Sequence, residues 1–391
     1  MPAPVVTDHY VPHDSTIPAN GGEPVELFVR ERDGTPTGGT RRPVLMLHGR
    51  SIPALAGFDL AYKKYGWADE LAKKGFDVFV MELQGSGLST RPTMAEPHNV
   101  NPSQQGLLVP NPNAATYTGT PAYASQLNNS QSDWDEVGKV VDFIITHTGV
   151  PKIDLIGWSA AAQAFGPYAI QQPGKVRSLF LLAPIFPPQG RPSATGTPFG
   201  APVPLPVSTP KAAFGYPMTV GTKSGFQTGW DKDVHCPDQR EAGMVDIVWD
   251  AIMASDQVGA KWGGPVAGSP EGLNRIRNSY WWGWNSTTVS LNGTLGAAVP
   301  VCLVYGEYDT TANTASNLGL LYFSVPELYK LIPGPKKLMF RISCASHQVP
   351  WERQANLVHT MSEHWLKQGK VEGATSGAYD RDEDGVLTPM V

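Results

Sequence analysis

The chain alternates between two patterns of apolar and polar positions. Short and almost continuous apolar runs, typical of buried parallel strands, lie at residues 42–49, 76–83, 152–157, 175–184, 298–306 and 336–343. Stretches with apolar positions at helical spacing lie between or after them, at residues 66–75, 132–149 and 352–369. Residues 23–32 alternate between apolar and polar positions. This repeated strand–helix order predicts an α/β protein with a mostly parallel central sheet and helices on both faces.

Two long segments interrupt this order. Residues 85–131 form a polar connection rich in Pro, Asn and Gln, and a connection of that length is uncommon unless it is functional or disordered. Residues 185–297 are rich in Pro, Gly and Trp, and helical spacing returns at 241–255. We therefore expect a core at 1–184 and 298–370, an inserted apolar lobe at 185–297, and an acidic tail at 371–391.

Composition narrows the class of protein. With 17% charged residues and a net charge of −5, the chain lacks the basic excess of a nucleic-acid binder. Glycines and prolines are spread between apolar segments, which favours a loop-rich globular enzyme with a small-molecule substrate. No apolar run is long enough for a membrane span. The N-terminus does not resemble a signal peptide, so we expect a cytoplasmic protein, or a secreted or periplasmic one if a leader was removed. No pattern indicates an oligomeric state.

Five motifs then stand in a recognisable order, each at the end of an expected strand: LMLHG, MELQGSGLS, IGWSAA, VYGEYD and CASHQVPWE. Together they resemble the α/β-hydrolase superfamily, over roughly residues 22–370 without the lobe. The resemblance implies the α/β-hydrolase fold and places the chain near the esterase and lipase-like members that carry a cap. It also implies that 185–297 is the cap or lid, that a serine is the nucleophile, and that no cofactor is needed.

Ser159 is the expected nucleophile. Gly157 and Ser159 fit the Gly-x-Ser-x-Gly motif, in which a sharp strand-to-helix turn raises the serine above the sheet. Ala161 stands where the motif has its second glycine, although alanine is still small. The alternative is a serine that only caps the following helix.

The general base is expected to follow the last core strand, and His347 does so in CASHQVPWE. The other histidines lie before the core, in the connection, in the lobe or within helices. His359 and His364 fall on the final helix, where we expect exposure to solvent.

The acid that orients the histidine could follow the strand before the lobe or the strand after it. No carboxylate follows the strand before the lobe, whereas two follow VYG in the strand after it. Asp309 stands at the position that the superfamily resemblance implies, and Glu307 is the alternative.

The resemblance also implies an oxyanion hole formed by two backbone N–H groups, those of Ala160 and Arg50. The Arg50 side chain either points to solvent or contacts a polar or anionic part of the substrate. In residues 82–89, Glu82 and Gln84 depart from the related superfamily turn, so we interpret that segment as structural and assign it no chemistry.

The aromatic cluster of the lobe has two interpretations. Trp281, Trp282, Trp284 and Tyr280 form the small core of the lobe, or some of them line a pocket for a bulky apolar or aromatic substrate. Trp158, beside the expected nucleophile, is expected to pack under the turn.

The three cysteines are Cys236, Cys302 and Cys344, and their simplest role is that of small buried apolar residues. A Cys302–Cys344 disulfide is the alternative if their strands are neighbours.

In the tail, Asp380, Asp382 and Asp384 precede Gly385 as in the first half of a calcium loop. Val391 stands where that loop has its bidentate glutamate, so calcium is a weak candidate beside a solvated acidic tail.

These observations predict a serine hydrolase that cleaves an ester or lactone of a bulky apolar or aromatic substrate through an acyl-enzyme. One alternative uses the same triad for acyl transfer, carbon–carbon bond hydrolysis or lyase chemistry. Another is a non-catalytic member of the fold that binds a ligand, since a fold alone does not fix function.

Overall fold

The computed structural model describes residues 3–92, 94–109, 111–115, 128–193, 196–202, 217–266, 268–314 and 322–390. Its centre is a ten-stranded sheet in the order β1-β2-β4-β3-β5-β6-β7-β8-β9-β10. The strands are β1 (Val5–Asp14), β2 (Pro24–Asp33), β3 (Pro43–Leu47), β4 (Asp77–Met81), β5 (Ile153–Trp158), β6 (Val176–Leu182), β7 (Val301–Gly306), β8 (Lys337–Ile342), β9 (Gly377–Arg381) and β10 (Leu387–Pro389).

Strand direction confirms the predicted fold class. β1 and β2 form an antiparallel hairpin, and β2 pairs antiparallel with β4. From β4 to β9 every pairing is parallel, and β10 closes the far edge antiparallel to β9. All residues of β3 and β4 are buried, as their apolar runs require between two covered faces.

The α-helices of the described residues are α1 (Ala54–Phe58), α2 (Trp67–Lys73), α3 (Ser130–Thr148), α4 (Ala161–Gln171), α5 (Lys223–Asp231), α6 (Met244–Ala254), α7 (Ser286–Val289), α8 (Val325–Leu331) and α9 (Ala355–Gln368). α2 packs against α9 and α3 packs against α4, and each pair also contacts the sheet. Short 3-10 helices lie at Pro97–Asn99, Pro102–Leu107, Gly259–Lys261, Leu291–Gly293 and Val349–Trp351.

One prediction about α9 is wrong. His359 is buried rather than exposed, and its ring stacks on Trp67 with 5.5 Å between ring centroids. Burial lowers the pKa of His359 to about 3, so the imidazole is neutral. His364 is half-buried on the same helix. A histidine in an amphipathic helix can occupy the apolar face, and the sequence pattern did not distinguish that position.

Short strands of the inserted segment 185–297 pair with each other and with the long connection that precedes α3. Within the segment, Met218–Gly221 pairs antiparallel with Asn274–Arg277. Between the two, Ser279–Tyr280 of the segment pairs parallel with Asn128–Asn129 of the connection. A short hairpin joins Pro265–Val266 to Ser269–Pro270. The two interruptions of the strand–helix order thus lie together on the core, apart from residues 116–127 and 203–216, which fall outside the described residues.

The simplest role expected for the cysteines holds for Cys302 but is wrong for Cys236 and Cys344, and the alternative Cys302–Cys344 disulfide is wrong in its partner. Cys344 bonds to Cys236, with 5.7 Å between their Cα atoms, and Cys302 is free and buried. The strands of Cys302 and Cys344 are indeed neighbours, but Cys302 lies opposite Leu338 in the register of β7 and β8. Cys344 lies beyond the end of β8, roughly 20 Å further along at about 3.3 Å per residue, too far for a disulfide to Cys302.

The C-terminal residues also differ from the expected solvated tail, because β9 and β10 extend the sheet. Asp380 pairs with Arg341, 2.5 Å from Oδ1 to Nε, and Asp382 accepts a hydrogen bond from the backbone N–H of Val386. Among the described residues, Asp380, Asp382 and Asp384 do not gather within ligand distance of one another. Two of the three carboxylates proposed for calcium, those of Asp380 and Asp382, therefore make structural contacts instead.

Candidate active site

Ser159 lies in the turn between β5 and α4, with a φ of +60°. Its N–H donates to the carbonyl of Leu182 at 2.9 Å, and its carbonyl accepts from the N–H of Ile185 at 3.1 Å. A non-glycine residue in the left-handed region is strained, and here the backbone of the neighbouring strand holds it in place. This is the geometry of a nucleophile elbow rather than that of a helix-capping serine.

Close packing around the turn explains which residues must be small. A Cβ on Gly49 would lie 2.7 Å from the Ser159 Cβ, and one on Gly157 would lie 3.0 Å from Leu181 and 3.3 Å from the Ala161 Cβ. Ala161 is buried with its methyl group accommodated. The requirement for glycine is therefore strongest at Gly49, a Cβ on Gly157 would be tightly packed, and alanine is tolerated two residues after the serine.

Three residues predicted from separate motifs come together at this turn. His347 Nε2 lies 2.9 Å from Ser159 Oγ, and His347 Nδ1 lies 3.0 Å from each carboxylate oxygen of Asp309. Asp309 Oδ1 also accepts from the backbone N–H groups of Thr311 and Ala312, at 3.0 and 2.7 Å. Both His347 and Asp309 are buried, which strengthens their hydrogen bonds relative to water.

Glu307, the alternative acid, is not part of this arrangement. Its residue is exposed, and its carboxylate accepts from the backbone N–H of Cys344 at 3.2 Å. It therefore supports the loop that leads to His347 without reaching the imidazole.

A buried carboxylate that the sequence analysis missed holds the His347 loop. Glu352 accepts from both the N–H and the hydroxyl of Ser346, at 2.8 and 2.5 Å. It also accepts from Trp230 Nε1 at 2.7 Å and Gln239 Nε2 at 3.1 Å, two residues of the inserted segment. Burial raises the pKa of Glu352. Nothing in CASHQVPWE distinguishes this buried glutamate from an exposed one.

The two backbone N–H groups expected to form the oxyanion hole flank the serine. Gly49 approaches Ala160 so closely that a Cβ on it would lie 3.2 Å from the Ala160 nitrogen. Within the described residues, neither the Ala160 nor the Arg50 N–H donates to an acceptor in the protein. The loop that follows β3 therefore lies beside the start of α4 with both donors available.

Glu82 supports this loop, although residues 82–89 were expected to serve only as a turn. Its Oε1 accepts from the Ala54 N–H at 2.7 Å, and its Oε2 lies 3.4 Å from His48 Nε2. Burial lowers the pKa of His48, which keeps the imidazole neutral. A Cβ on Gly87 would lie 2.0 Å from the Glu82 carboxyl carbon, so this glycine makes room for the carboxylate.

A cavity of about 420 Å³ opens beside Ser159 and His347. Of the four aromatic residues expected to line it, only Trp281 does so. Trp282 packs on Trp134 with 5.9 Å between ring centroids, and Trp284 packs on Phe186 at 5.4 Å. These two rings and Tyr280 are buried, so those three residues belong to the packing of the segment and not to the pocket wall.

The apolar wall comes instead from residues scattered along the chain: Ile52, Trp158, Ile185, Phe226, Ile276, Trp281 and Phe323. Trp158 lines the cavity and donates from Nε1 to the carbonyl of His347 at 3.1 Å, so it contacts the base rather than packing only under the turn. No local sequence signal joins these positions, which lie on several loops, one helix, the end of β5 and a short strand.

Other groups of potential metal ligands lie away from Ser159. His9, Glu31 and His147 lie within 4.8 Å of one another at the β1–β2 hairpin. Their atoms already contact each other at 2.7–3.1 Å, and Glu31 also pairs with Arg41 at 2.8 Å. The sulfurs of a second cluster belong to the disulfide. Separately, no helix of the described residues is long and apolar enough to cross a membrane.

A family model described as alpha/beta hydrolase fold matches residues 42–353 of this chain. No curated protein matches the chain. Similar solved structures include an esterase from Thermogutta terrifontis, with 15% identity, 92% of this chain and 99% of that chain covered, and a TM-score of 0.46.

Two further structures show the same range of similarity. For 2-hydroxy-6-oxo-6-phenylhexa-2,4-dienoate hydrolase from Rhodococcus sp. strain RHA1, identity is 14%, coverage is 92% and 99%, and the TM-score is 0.46. For carboxylesterase CesB from Bacillus subtilis, identity is 10%, coverage is 94% and 93%, and the TM-score is 0.49. Similarity at this level does not indicate which substrate this chain binds. The family assignment rests on the family model that matches residues 42–353.

Proposed function

Because the chain belongs to the α/β-hydrolase family, we propose that it is a serine hydrolase that cleaves a carboxylic ester or lactone with a bulky apolar or aromatic part. The observation that carries this proposal is the hydrogen-bonded series Ser159–His347–Asp309, which opens onto a largely apolar cavity. A non-catalytic binding protein would not need an activated hydroxyl on a strained turn.

In the proposed first step, His347 Nε2 removes the proton from Ser159 Oγ as the oxygen attacks the ester carbonyl carbon. Asp309, bound to Nδ1, holds the imidazole in the required tautomer and stabilises the imidazolium that forms. The N–H groups of Ala160 and Arg50 stabilise the tetrahedral oxyanion. His347 then gives its proton to the leaving alcohol, and the acyl group remains on Ser159.

In the proposed second step, His347 removes a proton from water, which attacks the acyl-enzyme carbonyl. The second tetrahedral intermediate collapses, the carboxylic acid leaves, and the Ser159 hydroxyl regains its proton from His347. The reaction balances with water alone as the co-substrate, so the proposal needs no cofactor.

Labelling with a fluorophosphonate, located by mass spectrometry, tests the nucleophile. We expect a single adduct on Ser159 and none on the Ser159→Ala variant, with Ser346→Ala as the control for a second buried serine near the base. An adduct on another residue, or none on a folded protein, would contradict the covalent mechanism.

The same triad could also transfer the acyl group to an alcohol, or act on a carbon–carbon bond. Turnover of a 4-nitrophenyl ester in water, with and without a competing alcohol, separates the first case. We expect the free acid as the main product in both conditions. A dominant transfer product at low alcohol concentration would redirect the proposal to an acyltransferase.

A further inference from the structure

The cavity beside Ser159 contains one permanent charge. Among the described residues that line it, Arg50 alone is an arginine, lysine, aspartate or glutamate, and the rest of the wall is mainly apolar apart from His347 and small polar groups. The Arg50 residue is exposed at this wall, and its Nη2 donates to Asn278 Oδ1 at 2.9 Å. A neutral amide oxygen therefore occupies one of its five donors, and it does not neutralise the charge.

Arg50 has no carboxylate partner. Among the described residues no Asp or Glu oxygen lies within 4.0 Å of its guanidinium, whereas Arg91 and Arg275 of the neighbouring loops both pair with Asp256. The segments outside the described residues contain neither Asp nor Glu, so no side-chain carboxylate is hidden there.

A second arginine adds to the positive charge behind this wall. Arg277 is buried, and its Nη1 donates to the carbonyl of Gln84 at 3.0 Å. The nearby buried carboxylate of Asp133 accepts from Trp281 Nε1 at 3.0 Å and from Asn128 Nδ2 at 2.7 Å. It thus lies behind Trp281 rather than in the cavity.

The guanidinium has no carboxylate partner among the described residues, and its hydrogen bond to Asn278 leaves most of its donors for a ligand. An anion that entered the cavity could use these donors, because charge-assisted hydrogen bonds from arginine to a carboxylate are strong and can be bidentate. The position also lies next to the proposed oxyanion hole, since the same residue supplies a backbone donor.

We propose that the Arg50 side chain binds a carboxylate on the substrate, so that the preferred ester carries a negative charge together with its apolar part. This inference rests on the proposed hydrolysis at Ser159 and specifies its substrate class. A half-ester of a dicarboxylic acid, or an ester whose alcohol carries a carboxylate, fits this description.

Two matched substrate pairs test the inference. For the acyl side, 4-nitrophenyl hydrogen glutarate is compared with 4-nitrophenyl 5-oxohexanoate, in which a methyl ketone replaces the carboxylate. For the alcohol side, 4-carboxyphenyl butyrate is compared with 4-acetylphenyl butyrate. The measured quantity is the ratio of kcat/KM for the anionic ester to that for its neutral partner, so that a general change of rate cancels.

In at least one pair we expect the wild-type ratio to exceed about 10, and Arg50→Met to lower it by about 10- to 100-fold, the usual effect of removing a hydrogen bond to a charged group. Arg50→Lys, which keeps the charge but not the fork, should retain part of the preference. Lys232→Met, which removes an exposed charge of the inserted segment, should leave the ratio unchanged. Ratios near 1 for the wild type in both pairs, or equal loss on both esters in Arg50→Met, would overturn the inference.

A binding experiment separates this inference from the proposed function. Glutarate is titrated into Ser159→Ala and into Ser159→Ala/Arg50→Met, with intrinsic tryptophan fluorescence as the signal because Trp158 and Trp281 line the cavity. Binding that is at least about 10-fold weaker in the double variant supports the anion site even if Ser159 proves not to be the nucleophile. Equal binding in both variants contradicts the anion site even if Ser159 is labelled.

Discussion

The proposed triad and the wall of the cavity come from two regions that hold their side chains by different means. Ser159 follows β5, Asp309 follows β7 and His347 follows β8, so each group is fixed by a buried strand that ends beside it. The wall comes largely from loops and from the inserted segment, where Phe226 packs on Trp230 and Ile276 lies on the short strand Asn274–Arg277. The proposed reacting groups are therefore tied to the sheet, whereas the wall of the cavity depends largely on loops and on the inserted segment.

The two regions are nevertheless bound to each other near the base. Glu352 joins the His347 loop to Trp230 of the inserted segment, and the Cys236–Cys344 disulfide makes a second link three residues before His347. Changes in the segment can therefore reach the base, and the predictions below separate the two contributions.

Ser159→Ala should have the largest effect on turnover. The variant removes the hydroxyl that forms the acyl-enzyme, and we expect a loss of about 10⁴-fold or more in kcat. The fold should be retained, because alanine follows at Ala160 and Ala161 in the same tight turn. Rate and melting temperature of the same preparation are the measurements. A folded variant with a rate near that of the wild type would show that the sheet does not supply the nucleophile.

Asp309→Asn should reduce the rate by about 10³- to 10⁴-fold, because asparagine favours the wrong tautomer of His347 and cannot stabilise its charge. Glu307→Gln is the matched control, since its carboxylate contacts only the backbone N–H of Cys344. It should stay within a few fold of the wild type. A larger loss in Glu307→Gln than in Asp309→Asn would reverse the assignment of the acid.

Gly49→Ala should cost about 10²-fold in kcat, because the new Cβ would lie 2.7 Å from the Ser159 Cβ and must displace the serine or the oxyanion loop. Gly174→Ala is the control, since a Cβ there meets no atom within 4 Å. Melting temperatures distinguish a displaced serine from an unfolded protein. Full activity in Gly49→Ala would mean that the loop after β3 moves freely and does not hold an oxyanion donor.

The contrast between the two regions also explains what the sequence could predict. The motifs around Ser159, Asp309 and His347 are short, and each follows a strand-like apolar run. The local sequence was therefore enough to predict these three residues as candidates. The partner of Cys344 and the buried state of Glu352 depend on how the inserted segment folds back onto the core, a long-range contact without a local pattern.

The aromatic cluster illustrates the same limit. Trp281 and Trp282 are adjacent and chemically identical, yet one lines the cavity and the other packs on Trp134. Successive residues of an extended segment point to opposite sides, and only the direction of that segment decides which ring faces the substrate. Composition predicted an apolar pocket, but it could not choose between neighbours.

These two tryptophans offer a test of the wall by itself. Trp281→Ala should raise KM for an aromatic ester by about 10-fold, since it removes apolar contact area from the cavity. Trp282→Ala should instead lower the free energy of unfolding by about 3–5 kcal/mol, as large buried rings do, with a smaller effect on KM. Steady-state kinetics and urea unfolding of both variants give the comparison. A larger rise in KM for Trp282→Ala, together with a larger loss of stability for Trp281→Ala, would exchange the roles of the two rings.

The smallest effect on turnover is expected for Glu136 of α3, which is buried near Asp133 and accepts a hydrogen bond from the backbone N–H of Gln84. Burial and the Asp133 charge raise the pKa of Glu136 to about 8 from an ordinary value of 4.5, so the folded protein favours the protonated carboxyl. Its contribution to stability is then complete below about pH 4.5, declines as the pH rises, and is lost above about pH 8.

In Glu136→Gln the side chain cannot ionise. As the pH is raised from 5 to 9, the free energy of unfolding of this variant should therefore fall less than that of the wild type. The difference should reach on the order of 2 kcal/mol, since one pKa unit corresponds to about 1.4 kcal/mol and partial hydration of the ionised state reduces the full effect. Glu26→Gln, on the exposed edge of β2, is the control and should follow the wild-type curve. Melting temperatures of the wild type and of both variants, measured between pH 5 and pH 9, test this prediction. Parallel curves for the wild type and Glu136→Gln would mean that the Glu136 carboxyl is already ionised in the folded state, with Arg277 as its counter-charge.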